Sequence, residues 1–174
     1  MITIIAGSRG FDDPLLLRQA VRDSHFPITK VVSGNARGAD RLGEMWAEEN
    51  HIEVVKFDPD WSLGPVGGMV RNGAMAKYVA EESKRLGIPG GLIAIWDGKS
   101  HGTKNMIQQA QYFRLEIFTK LFEFDGSEVK FKDEKKKPKR DFDLRLLIPL
   151  EKRRLALRRR SYIRIQKVCK CRRY

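Results

Sequence analysis

Unbroken apolar runs and spaced apolar stripes take turns along this chain, and the exchange predicts strands alternating with helices. Residues 1–6 are a continuous apolar run rich in β-branched side chains, as in a strand buried on both faces of a parallel sheet. Asp13-Pro14 predicts a helix start, with a carboxylate N-cap and proline at the first helical position. Leu16 with Ala20 and Leu17 with Val21 form its inner stripe, and Ser24 is its expected end. Residues 28–33 read as a second strand, followed by a helix from about Ala36 with Ala39, Leu42 and Trp46 inward, and residues 52–57 as a third strand. Prolines 59 and 65 and glycines 64, 67 and 68 predict a long loop without regular structure over residues 58–68. Val70, Ala74, Met75, Tyr78 and Val79 then mark a third helix ending by Gly87, before a strand at 91–96 and a helix at 102–113. Residues 115–124 read as a fifth strand, and 127–132, after the Asp125-Gly126 turn signal, as its hairpin partner.

Alternating strands and helices with short crossovers predict an α/β fold, a doubly wound parallel sheet of order 3-2-1-4-5. Ligands of such sheets bind beyond the carboxyl ends of the strands where the order reverses, here between the first and fourth strands. The predicted organisation is one domain over residues 1–124, an edge hairpin at 125–132, and a basic C-terminal extension at 133–174.

Charge divides the chain more sharply than hydropathy does. The net charge is +12; residues 133–174 hold 17 Lys/Arg and 5 Asp/Glu, whereas residues 1–132 hold 17 of each. Within that tail, residues 135–140 form a basic linker and 150–168 a candidate basic helix with irregular apolar spacing. Nonspecific nucleic-acid binding through residues 135–173 is one reading, weakening steeply with salt; the scarcity of interleaved aromatics argues against sequence-specific reading. A disordered, solubilising tail is the other. Cys169 and Cys171 lack partner ligands, so no metal and no cofactor are expected, and a reducing compartment is. No apolar run approaches the roughly 20 residues needed to span a bilayer. The opening strand pattern has no charged leader, so the expected location is cytoplasmic. Self-association is left open.

Three strand ends concentrate glycine, hydroxyl and charge: Gly7-Ser8-Arg9; Ser33-Gly34-Asn35 running into Arg37-Gly38-Ala39-Asp40; and Asp97-Gly98 running into Gly102-Thr103. Backbone N–H groups and helix dipoles gathered there suit an anion. Gly34, Gly38 and Gly102 fit either close backbone approach to a ligand or tight turns. Thr103 fits either a phosphate contact or a helix cap. Arg9 and Arg71 are candidates for a charged clamp or for solvated surface positions. Asp40 suits a ribose contact or a brace for Arg37 or Arg41. Trp61 would cover a base or plug the core, and Asn72 would contact ligand or cap its helix. No Ser/His/Asp or Cys/His set is present, and neither GxGxxG nor a P-loop occurs. Hydrolysis would need Asp40, Asp60 or Asp97 as base.

These motifs, with Asp58-Pro59-Asp60-Trp61 and Gly68-Met69-Val70-Arg71-Asn72 between them, resemble in order and spacing the YspA-related (YAcAr) branch of the SLOG superfamily over about residues 1–120. The resemblance implies a Rossmann-like fold, a phage or bacterial setting, and a nucleotide or nucleotide-derived ligand, including NAD-derived signals. It assigns the GSR loop to Gly7, Ser8 and Arg9, and GxxRGAD to Gly34, Arg37, Gly38, Ala39 and Asp40. The remaining motifs fall on Asp60 and Trp61, Arg71 and Asn72, and Gly102 and Thr103. LONELY GUY phosphoribohydrolases in the superfamily follow their Gly-Thr with catalytic glutamates. Thr103 here precedes Lys104-Asn105-Met106, and Lys99 stands where a second glycine is common. The leading expectation is therefore a protein that senses or sequesters a nucleotide or ADP-ribose-like ligand. A hydrolase of nucleotide N-glycosidic bonds, with Asp40 or Asp60 as base and Arg71 on phosphate, is one alternative; a nucleic-acid-binding protein using the tail is another.

Overall fold

A computed structural model describes residues 1–125 and 128–131. The chain divides into the units Met1–Asp133 and Glu134–Tyr174, and every described residue belongs to the first. The expectations for the tail lie outside the described residues.

The elements in chain order are β1 (Ile2–Gly7), α1 (Pro14–Ser24), β2 (Lys30–Ser33), α2 (Ala39–Glu49), β3 (Glu53–Lys56), a 3-10 turn (Trp61–Val66), α3 (Gly67–Leu86), β4 (Gly90–Trp96), α4 (His101–Tyr112), β5 (Glu116–Asp125) and β6 (Glu128–Phe131). The sheet runs β3-β2-β1-β4-β5-β6. The first five strands are parallel, and β6 returns antiparallel to β5. This is the doubly wound, Rossmann-like α/β architecture expected from the alternating pattern. β1 and β4 are largely apolar because both of their faces are covered, Thr3 being the buried polar exception. Ile2, Ile4, Val32, Leu92 and Ala94 pack on one face against Met75, Ala76 and Val79 of α3 and Met106 of α4. Ile5, Val31, Ile93 and Ile95 pack on the other against Leu17, Ala20 and Val21 of α1 and Ala39 and Ala47 of α2.

Helix α1 follows its sequence signals closely: the Asp13 carboxylate accepts from the N–H groups of Leu15 and Leu16 at 2.8 and 2.9 Å, and Pro14 opens the helix.

Three expectations need correction. Helix α2 starts at Ala39, not Ala36, because Gly38 enters it at φ 86, outside helical geometry; Leu42 and Trp46, half-buried, pack on the core as expected, beside the buried Asp40 and Glu44. Residues 58–68 are not wholly irregular: a 3-10 turn, kinked at Gly64 (φ 63), leads directly into α3 at Gly67. On α3 it is Asn72, Met75, Ala76 and Val79 that turn inward, leaving Val70 and Ala74 exposed. Among the described residues no helix is long and apolar enough to cross a membrane.

Candidate functional site

A cleft of about 730 Å³ opens beyond the carboxyl ends of β1 and β4, where the strand order reverses. The end of β1 and the loop after it supply Gly7, Ser8 and Arg9, and α2 supplies Asp40. Trp61 and Pro65 come from the 3-10 turn, Met69, Arg71 and Asn72 from α3, and Asp97 from the loop after β4. The start of α4 brings His101, Gly102 and Thr103. A second cavity of about 510 Å³ adjoins it, lined by Gly34, Asn35, Arg37, Asp58 and Pro59. Arg9, Ala36, Trp61 and Arg71 line both.

The β1 and β4 loops are stitched together. Ser8 donates its backbone N–H to the Ile95 carbonyl at 2.9 Å, and its Oγ accepts from the Asp97 N–H at 3.2 Å. A side chain at position 7 would collide with the Ile95 carbonyl and with Ala39, so this junction requires glycine. Asp97 in turn shapes the α4 start, its Oδ1 accepting from the N–H groups of Lys99 at 2.9 Å and Ser100 at 2.7 Å. Burial pushes the Asp97 carboxyl up, but these N–H groups and the Ser8 hydroxyl outweigh it, and its pKa lies below the ordinary value. The Ser100 hydroxyl caps α4, accepting from the Thr103 N–H at 3.4 Å and the Thr103 hydroxyl at 3.1 Å. Thr103 therefore serves its helix cap while also lining the cleft.

Arg71 and Asp40 form the buried centre of the wall. Arg71 Nη1 donates to the Gly34 carbonyl and stands 3.8 Å from Asp40 Oδ2, and its Nε donates to Asn72 Oδ1 at 3.1 Å. Asn72 passes the connection on, donating to the Gly102 carbonyl at 3.2 Å and to Asn105 Oδ1 at 3.0 Å, which locks α3 to α4. Asp40 Oδ1 accepts from the Gly7 N–H at 3.2 Å. Burial pushes the Asp40 carboxyl up to about 6 despite the opposing pull of Arg71 and of the Gly7 and Gly34 N–H groups. Arg71 is shifted downward by burial and by the charge of Arg9, against the attraction of Asp40 and Asp58. The brace thus runs from Asp40 to Arg71, not to Arg37 or Arg41.

Sequence reasoning missed Glu44, whose side chain is wholly buried. It accepts from Ser33 Oγ at 2.7 Å, Lys56 Nζ at 2.8 Å and Arg41 Nη1 at 3.0 Å. Burial raises its pKa, yet the Lys56 and Ser33 hydrogen bonds prevail and leave it lowered. Its spacing from Asp40, one helical turn, was the available signal.

Four candidates lie outside both linings. The Ser33 hydroxyl is fully buried on Glu44; Gly38 packs against the Ser8 carbonyl, leaving no room for a Cβ; and Gly98 turns the chain at φ 79. Asp60 is exposed and caps the 3-10 turn, accepting from the Ser62 N–H at 2.9 Å. Trp61 does not plug the core, being 59% exposed. Among the described residues no group of three His, Cys, Asp or Glu is placed to hold a metal.

Glycine at the β1–β4 junction, the Gly34–Arg71–Asp40 brace and the strand-order reversal all involve the motifs compared above with a known family. Residues 1–64 match the YAcAr model, the YspA, cpYpsA-related SLOG family. The YAcAr match runs from β1 into the 3-10 turn, hence over Ser8, Gly34 and Asp40 of the cleft; Arg71, Asp97 and Thr103 lie beyond it. The family matched over residues 1–64 suggests a nucleotide-related small-molecule ligand. No curated protein matches the chain.

Proposed function

We propose that this protein binds a nucleotide or a nucleotide-derived, ADP-ribose-like molecule in the cleft at the β1/β4 reversal, as a sensor or sequestering protein. The observation that carries this reading is that two arginines close enough for their charges to interact, Arg9 and Arg71, line one cleft together with the start of α4. Arginine forks and helix N-termini both favour phosphate. Trp61, Pro65 and Met69 give the same cleft an apolar side suited to a base. Retention without turnover is supported by Lys104-Asn105-Met106, which stand where the phosphoribohydrolases carry glutamates.

Hydrolysis of an N-glycosidic bond is the second reading, and Asp40 favours it. A buried carboxyl titrating at about 6 exchanges protons near neutrality, as a general base must. Asp60, exposed and turned to its own helical turn, is not carried forward in that role. Nucleic-acid binding stays a property to test in the tail: removing residues 133–174 is expected to abolish it, and unchanged affinity refutes it.

Calorimetric titration of the full chain with AMP, NAD and ADP-ribose, followed by chromatography of each mixture, tests the proposal. Saturable binding that weakens about tenfold in Arg9→Ala, an exposed position, supports it, since a charge-assisted hydrogen bond contributes about 1.5–3 kcal/mol. Intact ligand after incubation favours sensing, and released base favours the hydrolase. Absence of binding by all three refutes the proposal.

A further inference from the structure

The second cavity differs in character from the main cleft. Its rim brings three guanidiniums, Arg9, Arg37 and Arg71, against one carboxylate, Asp58. Asp58 is itself engaged, its Oδ1 accepting from Asn35 Nδ2 at 2.7 Å. Among the described residues only Arg71 of the three arginines forms an ion pair, with Asp40 at 3.8 Å. Arg9 and Arg71 are close enough for the charge of one to disfavour the charge of the other. Arg9 and Arg37 thus stand exposed at this rim beside the half-buried Arg71, three cations against the Asp40 and Asp58 carboxylates, and an anion arriving there relieves their repulsion.

The wall is also built rather than left to a flexible loop. Asn35 sits in the left-handed region at φ 51, a conformation asparagine tolerates better than most side chains. Its backbone N–H donates to Ser33 Oγ at 3.0 Å, and the Ser33 hydroxyl donates to the buried carboxylate of Glu44 at 2.7 Å. Glu44 is anchored by Lys56 and Arg41. Through Ser33 it fixes the backbone from which Arg37 projects, and Ser33 is thereby a positioning residue.

We infer that the second cavity is a subsite for a second phosphate, so that the ligand carries a diphosphate spanning the shared Arg9–Arg71 wall, with Arg37 receiving the distal group. The inference rests on the nucleotide reading of the main cleft and narrows it from nucleotides in general to nucleoside diphosphates and their esters. Phosphate accepts bidentate hydrogen bonds from guanidinium, and the two cavities meet at the two arginines able to contact both phosphates.

AMP and ADP, which differ by one phosphate, are the probes, titrated calorimetrically into the full chain and into Arg37→Ala and Ser33→Ala. The wild type is expected to bind ADP about tenfold or more tightly than AMP. Arg37→Ala, at an exposed position, should erase most of that preference, weakening ADP about tenfold and AMP about threefold or less. Ser33→Ala should reduce the preference too and, unlike a purely structural change, speed hydrogen exchange at the Asn35 amide while the β1 amides keep their protection. Equal wild-type affinities for AMP and ADP overturn the inference and leave the nucleotide reading standing. Equal losses for both nucleotides in Arg37→Ala, or none, overturn it likewise. If neither nucleotide binds, the nucleotide reading fails and takes the inference with it.

Discussion

Asp40→Asn tests the electrostatics at the centre of the cleft, and the magnitude follows from the structure. The Asp40 carboxyl is raised from an ordinary value of 3.8 to about 6. That is about two pKa units, and each unit corresponds to about 1.4 kcal/mol of difference between folded and unfolded states. Well below pH 4 the carboxyl is protonated in both states and its ionisation contributes nothing. Between about pH 4 and 6 the unfolded chain releases this proton while the folded chain keeps it, so stability falls as pH rises. Above that window the loss is complete, at about 3 kcal/mol. Asparagine cannot titrate. The stability of Asp40→Asn relative to wild type should therefore improve by about 2.4 kcal/mol from pH 4 to 7. Any fixed cost of an amide beside Arg71 displaces that difference curve without bending it. Carboxylates with lowered pKa, such as Glu44 and Asp97, titrate in both proteins and cancel. Urea unfolding of both proteins across this range, followed by circular dichroism, gives the curve. A flat difference, or one that bends toward wild type as pH rises, refutes the reasoning.

Gly34→Ala would put a Cβ 2.7 Å from Asp40 Oδ2 and against the Arg71 guanidinium. It should cost about 1–3 kcal/mol of stability and weaken ADP-ribose binding; a wild-type melting temperature and affinity would contradict this. Trp61→Ala, at a position 59% exposed, should change stability by less than about 1 kcal/mol. If Trp61 stacks on a base, the same change should weaken nucleotide binding by about 1–3 kcal/mol; unchanged affinity removes Trp61 from the site. Asp97→Ala deprives the Lys99 and Ser100 N–H groups of their acceptor and should cost about 1–2 kcal/mol in urea unfolding at pH 7. Because the Asp97 pKa is lowered, its contribution should fade as pH drops through the folded value, and a penalty independent of pH would refute the assignment.

The fold was legible because local and tertiary preferences agree in most of it. β1, apart from Thr3, and β4 are apolar and buried on both faces, and Asp13-Pro14 does at α1 what its chemistry predicts. Legibility failed where glycine or buried charge decided the outcome. Gly38 delays α2 through a backbone angle that composition does not reveal, and Gly67 and Gly68, poor helix formers, are carried into α3. On α2 the apolar stripe through Ala39, Leu42 and Trp46 packs on the core, but it does not reveal that Asp40 and Glu44 are buried beside it. Polar residues accept such burial only with hydrogen-bonding partners, and those come from β1, β2, β3 and α3, distant in sequence. Sequence could bring the strand-end motifs to one rim; it could not say that Ser33 turns from the rim toward Glu44, or that Arg71 reaches Gly34.

The two buried carboxylates of α2 lie one turn apart yet shift in opposite directions, and the difference lies in their donors. Glu44 receives three close donors, two of them cationic, and stays ionised. Asp40 receives the Gly7 N–H at 3.2 Å, the lesser pull of the Gly34 N–H, and a guanidinium at 3.8 Å that is shared with the Gly34 carbonyl. Its ionised form is thus under-neutralised before any ligand arrives. A phosphate seated between Arg9 and Arg71 adds negative charge beside Asp40 and competes for Arg71, which raises its pKa further and couples binding to proton uptake. At pH 6, where Asp40 is about half ionised, ADP-ribose binding should take up as much as about half a proton. The bridging diphosphate of ADP-ribose has no ionisation near that pH, so the uptake belongs to the protein. Calorimetry in two buffers of different ionisation enthalpy measures it, and Asp40→Asn should abolish it. Uptake of the same size in the variant would place the titrating group elsewhere; none in the wild type would mean that the anion does not settle beside Asp40.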